Sequence, residues 1–181
     1  WETKPYGNPK FREIVVTHAD NTIKKHFRAG NRSYHVFCYD TDGKVLAKMT
    51  AQGAADASAW ARGQAWGLYG FTVMYRETKD RKYLDQAIRI ADSYLHNPNL
   101  PKDKIPYWDF NAPNIPNEER DAAAGAVVAS ALLELMRYTD NTRSLEYFKA
   151  AEFMLCSLSD EAYRAKTCEN NTFLIKHCVG L

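Results

Sequence analysis

The segment SAWARGQAWGLYG, residues 58–70, combines a helical pattern with three glycines, each costing about 0.8–1.0 kcal/mol relative to alanine in a helix interior. It also carries two tryptophans, an arginine and a glutamine. One structural reason for the glycines is close approach. Gly63, Gly67 and Gly70, with the alanines of 122–131, allow packed helices to come near each other. A helix starting near Ser58, or just after it, puts Arg62 and Trp66 on one face, four residues apart, and turns Gln64 elsewhere. Trp60 then falls in or before the first turn, where helical spacing does not fix its direction.

Working outward, long helical periods dominate. Phe11, Ile14, Val15, His18 and Ala19 recur at three and four, as do Leu84, Ala87, Ile88, Ala91 and Leu95. Residues 120–138, rich in small side chains, predict a helix capped by Asp121, and residues 141–158 predict another. The one strand-like stretch, SYHVFCYD at 33–40, runs into a DTDGK turn and predicts a single hairpin between helices. A loose self-similarity links the segments starting at Gly7, Lys79 and Asp140: a turn signal, a basic residue, a bulky apolar residue, then helix. The spacing is too uneven for short solenoid repeats and suits helical hairpins joined by long functional loops. The expected fold is all-α, an incomplete (α/α)6 barrel.

Composition narrows the function. With 181 residues, 45% hydrophobic and 25% charged, the chain has the make-up of a globular domain with a sizeable core. A net charge of +2 without long like-charge runs gives no support for nucleic-acid or polyanionic-membrane binding. No apolar run approaches a membrane span. Cys38, Cys156, Cys168 and Cys178 form neither a CxxC pair nor a Cys/His ligand array, so free thiols are expected and a zinc site is not.

The polar chemistry gathers around residue 60. A helix N-terminus has unpaired amide protons and partial positive charge, so an arginine there favours a carboxylate or sulfate. A neighbouring indole offers a flat apolar face to a sugar ring. An acidic-sugar site fits these residues; so do core tryptophans with Arg62 in a structural ion pair. His35, on an alternating segment with Tyr34 and Val36, reads by itself as an ordinary hydrogen-bonded histidine, and Gln52, in the loop before the helix, either reaches the helix mouth or stays solvated. The loop IPYWDFNAPNIPNEERD, 105–121, is expected to be ordered, with Trp108 and Phe110 covering helix ends. Asp56 and Asp121 are expected to cap helices and Asp109 to order its loop.

SYHVFCYD, QG followed by SAWARGQAWGLYGFTVMYRETKD, PYWDFNAP, RDAAAGAVVASALLEL and the terminal FLIKHCVG together resemble the unsaturated glucuronyl hydrolases of glycoside hydrolase family 88, in order and spacing. The resemblance implies an (α/α)6 barrel, a six-hairpin toroid. It implies action on lyase-generated oligosaccharides that carry a 4,5-unsaturated uronic acid at the non-reducing end. In that chemistry an acid protonates C4 of the enol ether, water adds at C5, and the hemiketal opens to release the remaining sugar. Carried over by motif, His35, Gln52, Trp60, Arg62 and Trp66 are substrate-binding: Arg62 and Gln52 contact the uronate or its hydroxyls, Trp60 and Trp66 form an apolar wall, and His35 bonds near the reacting end. The family's catalytic aspartates map upstream of Trp1, one in a helix ending near it, so no catalytic residue is assigned. One incomplete toroid domain is expected over residues 1–181, without the N-terminal part and the C-terminal closing segment. Where the family usually reads HQG, this chain has Ala51, Gln52 and Gly53. No metal or organic cofactor is required. The expected partner is the oligosaccharide, with oligomeric state undetermined and a bacterial periplasm or cytoplasm as compartment. Unsaturated rhamnogalacturonyl hydrolases and a non-catalytic helical-hairpin scaffold are the alternative readings.

Overall fold

The computed structural model describes residues 7–171 and 173–179. The helix expected to end near Trp1 lies outside them. Among the described residues there are five α-helices and a two-stranded hairpin, with two short 3₁₀ turns: α1 (Lys10–Lys25), β1 (Val36–Tyr39), β2 (Val45–Met49), α2 (Ala61–Thr78), α3 (Arg81–Leu95), α4 (Ala122–Leu135) and α5 (Asn141–Ser159). Among the described residues, no helix is long and apolar enough to cross a membrane.

Only Lys79 and Asp80 separate α2 from α3, so the two run antiparallel. Lys79 takes the left-handed conformation that ends α2, and the Asp80 carboxylate accepts from the Lys82 amide to start α3. A short 3₁₀ turn, Met136–Tyr138, links α4 to α5, where Asp140 accepts from the amides of Thr142 and Arg143. Helices α2 and α4 pack against each other, α3 lies against α2 and α5 against α4, giving two helical layers. The core lies between them: Leu68, Leu84, Ile90, Leu132, Leu135, Tyr147 and Met154 are fully buried among alanines of α2, α3 and α4. Each such aliphatic side chain contributes about 1.5–3 kcal/mol of burial.

The self-similar segments start α1, α3 and α5, so the repeat marks alternate helices of the series. The apolar stripe of α1 does form on a helix, but Phe11, Ile14 and Val15 stay largely exposed and only Ala19 is buried. The expected hairpin is present, with Val36 opposite Met49 and an irregularity at Cys38/Tyr39. All four cysteines are free.

One boundary falls as expected, just after Ser58 with Trp60 ahead of the first turn, and one cap differs. Helix α2 begins at Ala61, because the Ala59 carbonyl and the Ala61 amide are taken by Phe110 and Trp108 of the following loop. Asp56 caps no helix; its carboxylate accepts from the Thr50 amide at 2.9 Å and closes a turn. The glycines differ too. A Cβ on Gly63 would lie 2.8 Å from Cε3 of Trp60, so this glycine seats the indole of its own segment. A Cβ on Gly67 would make ordinary contacts with Phe27 and Ile90, and one on Gly70 would meet nothing. Close helix approach therefore accounts for only part of the pattern.

Candidate functional site

Three stretches meet at the N-terminal end of α2: the base of the β1–β2 hairpin, the 50–60 loop, and the 105–121 loop. Trp60 and Asp109 pair as an antiparallel bridge, with Ala61 N donating to the Trp108 carbonyl and Phe110 N to the Ala59 carbonyl, each at 3.0 Å. The buried carboxylate of Asp109 continues this junction. Its Oδ2 accepts from Ser58 Oγ at 2.5 Å and from the Ala54 amide at 3.0 Å, and its Oδ1 from the Asn111 amide at 2.8 Å. Asp109 thus orders its own loop and holds the 50–60 loop as well. Phe110 is buried with its edge on Tyr94 at the end of α3, as expected of a residue covering a helix end, whereas Trp108 is half-buried and donates its Nε1 to Glu118 of its own loop at 3.0 Å.

His35 projects from just before β1. Its Nδ1 accepts from the amides of both Ala51 and Gln52 at 3.2 Å, with Thr50 Oγ1 at 3.3 Å. Two amide donors on one ring nitrogen place the proton on Nε2. Burial lowers the His35 pKa below its ordinary value of 6.5, so the ring is neutral at neutral pH. The imidazole lies over Trp60, with centroids 4.3 Å apart and planes tilted by 30°.

Arg62 follows one turn into α2. Its Nε and Nη2 donate to Asp121 Oδ2 at 3.0 and 2.9 Å, and Nη2 also donates to the Val179 carbonyl. Asp121 is fully buried and its Oδ1 accepts from the Ala124 amide, so one carboxylate caps α4 as expected and pins a guanidinium. The guanidinium carbon is 5.8 Å from the Trp60 ring centroid, within cation–π range. Among the described residues Arg62 Nη1 has no acceptor, and the side chain is 19% exposed.

His35, Gln52, Trp60 and Arg62 thus form one cluster. Trp66 stands a turn further along the Arg62 face, 52% exposed, with its ring set edge-on to Tyr69. Gln64 turns away as expected: it is buried, accepts from the Ser33 amide and donates to Ser33, tying the hairpin base to α2. The ion pair that the sequence offered as the structural reading of Arg62 is present. Sequence reasoning missed the partner of that pair, since Asp121 signalled only a cap. It also missed Arg28, whose Nη2 donates to the Ser58 carbonyl at 2.6 Å and whose guanidinium lies over Tyr34. Nothing local in the sequence marks contacts between residues so far apart.

No family model matches the chain. An unsaturated glucuronyl hydrolase from Formosa agariphila is 45% identical over 98% of this chain and 44% of its own length. One from a Bacillus species is 34% identical over 88% of this chain and 43% of its own length. Among solved structures, an unsaturated glucuronyl hydrolase specific for heparin superposes with a TM-score of 0.92 at 49% identity, over 96% of this chain and 46% of that one. The chain therefore spans less than half the length of these relatives. Its five helices are the hairpin layers of part of an (α/α)6 barrel. Similarity along nearly the whole chain, in sequence and in backbone, leads to one conclusion: the chain belongs to the unsaturated glucuronyl hydrolase family.

Proposed function

We propose that this chain supplies the sugar-binding part of a hydrolase that removes a 4,5-unsaturated uronic acid from the non-reducing end of lyase-generated oligosaccharides, by hydration of the C4–C5 enol ether. The arrangement of His35 carries the reading. Its Nδ1 is occupied by two amides, its proton is on Nε2, and its ring lies against the half-buried Trp60, so it offers one oriented donor beside a flat apolar wall. Arg62 is fixed by Asp121 with Nη1 left for a uronate oxygen, and the uncapped first turn of α2 adds partial positive charge in the same place. Gln52, held by its own amide, contributes its side chain to the uronate or its hydroxyls. Trp66 extends the apolar wall. These groups bind and orient the ring; the carboxyl that protonates C4 is not among the residues assigned here, and such an acid contributes about 10²–10⁴-fold in rate. The compartment consistent with this role is a bacterial periplasm or cytoplasm.

Loss of the near-ultraviolet absorbance of an unsaturated uronyl disaccharide tests the reading. The 181-residue chain on its own leaves the absorbance unchanged, and a protein that supplies the upstream acid removes it. In that protein Arg62→Ala lowers kcat/KM sharply. Unchanged kcat/KM takes Arg62 out of the pocket, and turnover by the chain alone overturns the assignment of the acid.

A further inference from the structure

We infer that the cleft between the 29–32 turn and the C-terminal end of α3 is a second anion site, in which Arg32, aided by Arg89, takes a sulfate or carboxylate group of an acidic sugar. That the group is borne by a sugar rests on the proposed function; the oxyanion chemistry does not.

The cleft has a volume of about 370 Å³ and is lined by Asn31, Arg32, Arg89, Ser93, His96 and Asn97, with Asp92 at its side. That volume is within the usual range for small-ligand sites. Arg32 is held in place by its backbone. Its carbonyl accepts from the Arg28 amide at 3.1 Å, Gly30 and Asn31 adopt left-handed conformations, and Ser93 Oγ donates to the Gly30 carbonyl at 2.6 Å. The Arg32 side chain, by contrast, has no acceptor among the described residues, and its Nε is buried. A buried guanidinium N–H without an acceptor is costly, and a bound oxyanion relieves that cost with charge-assisted bonds.

The floor of the cleft gives a second observation. A small enclosed cavity, about 10 Å³, is lined by Arg32, Ser93, Asn97 and Tyr94, and the Tyr94 hydroxyl has no partner although the residue is only 2% exposed. Arg32 and Tyr94 thus both line this cavity, and each has a buried polar atom without a partner. The other charged groups here are already engaged. Asp92 accepts from Tyr147 Oη at 3.1 Å and lies 3.7 Å from Arg143, His96 Nε2 is 3.3 Å from Glu146, and Arg89 donates to the neutral Gln86 amide. Arg32 and Arg89 are therefore cations without a carboxylate partner among the described residues. Because α2 and α3 are antiparallel, the cleft opens at the same end of the layers as the candidate site. Ala59, Gln64 and Phe110 form the wall between the site and the enclosed cavity.

Calorimetric titration of the full protein with sodium sulfate and with sodium glucuronate, at ionic strength matched by sodium chloride, tests this. Millimolar binding of either anion is expected, weakened about ten-fold or more in Arg32→Gln and also weakened in the exposed variant Arg89→Gln. Sulfate binding alone identifies a sulfate ester as the ligand group, and glucuronate binding alone a uronate. Wild-type affinity in both variants, or no binding of either anion, overturns the inference. His35→Ala leaves sulfate binding intact. Unchanged substrate turnover in His35→Ala, with sulfate binding retained, would therefore count against the proposed function alone.

Discussion

The glycines of α2 offer a direct test of how the site is seated. In Gly70→Ala the new methyl meets nothing within 4 Å, so only propensity acts. At this helix-interior position the gain is about 0.8–1.0 kcal/mol, which raises Tm by about 2–4 °C for a domain of 150–250 residues. In Gly63→Ala the methyl would lie 2.8 Å from Trp60 Cε3, a separation at which the indole must move. Trp60 also has the His35 ring against it at 4.3 Å, so it cannot move freely. Overpacking of this kind costs about 1–3 kcal/mol, more than the propensity gain in a first turn. The two alanine variants of one helix should therefore shift Tm in opposite directions, read by urea and thermal unfolding of the full protein. In a Trp60→Ala background the penalty at 63 should vanish. Equal stabilisation by both alanines would show that the indole does not rest on residue 63, and the account of the aromatic wall would fail with it.

Three further outcomes follow from the geometry. Asp121→Ala leaves Arg62 as an unpaired, mostly buried cation and uncaps α4; a loss of about 3–5 kcal/mol in urea unfolding is expected, partly recovered by Arg62→Met in the same chain, and a loss below about 1 kcal/mol would mean the pair is absent in solution. Tyr94→Phe removes a buried hydroxyl without a partner, so stability should hold or rise, and a fall of more than about 1 kcal/mol would reveal an acceptor. His35, whose pKa is lowered by burial, should titrate by NMR below 6.5; the unfolded chain then takes up the proton first, so stability is complete above about pH 6.5 and declines as pH falls through that value toward the folded pKa. A midpoint at or above 6.5 would contradict the two-amide arrangement at Nδ1.

The parts of this molecule that are local in sequence were legible in it. Periodicity marked the helices, Asp121 announced a cap that exists, and the repeated turn-basic-apolar pattern picked out α1, α3 and α5. Helical spacing alone turned Gln64 away from Arg62. What remained hidden depends on distant partners. The start of α2 is set by Trp108 and Phe110, some fifty residues downstream, and no propensity at Ser58 reports them. Asp56 has the chemistry of a cap but faces the Thr50 amide instead. The α1 stripe has the right period, yet period says nothing about what lies opposite, and among the described residues Phe11, Ile14 and Val15 are not covered. For the site, motif resemblance gathered the five residues, whereas the division of Arg62 between a structural anion and an open face depends on a contact made across the fold.

The 50–60 loop is held in a way that leaves its side chains free. Its bonds are made by consecutive main-chain amides: Ala51 and Gln52 to His35, Gly53 to Thr50 Oγ1, Ala54 to Asp109 and Ala55 to Ser58 Oγ. Any amino acid except proline carries that donor, so the frame is indifferent to the side chains at 51, 54 and 55, all of which point into solvent-accessible space. Gly53 is the exception, since a methyl there would lie 2.6 Å from Thr50 Oγ1. Side chains at 51, 54 and 55 can thus be exchanged without disturbing the scaffold, and a library varied there with Gly53 kept would test, at nearly constant folding stability, the ligand preference that the proposed function assigns to this end of α2.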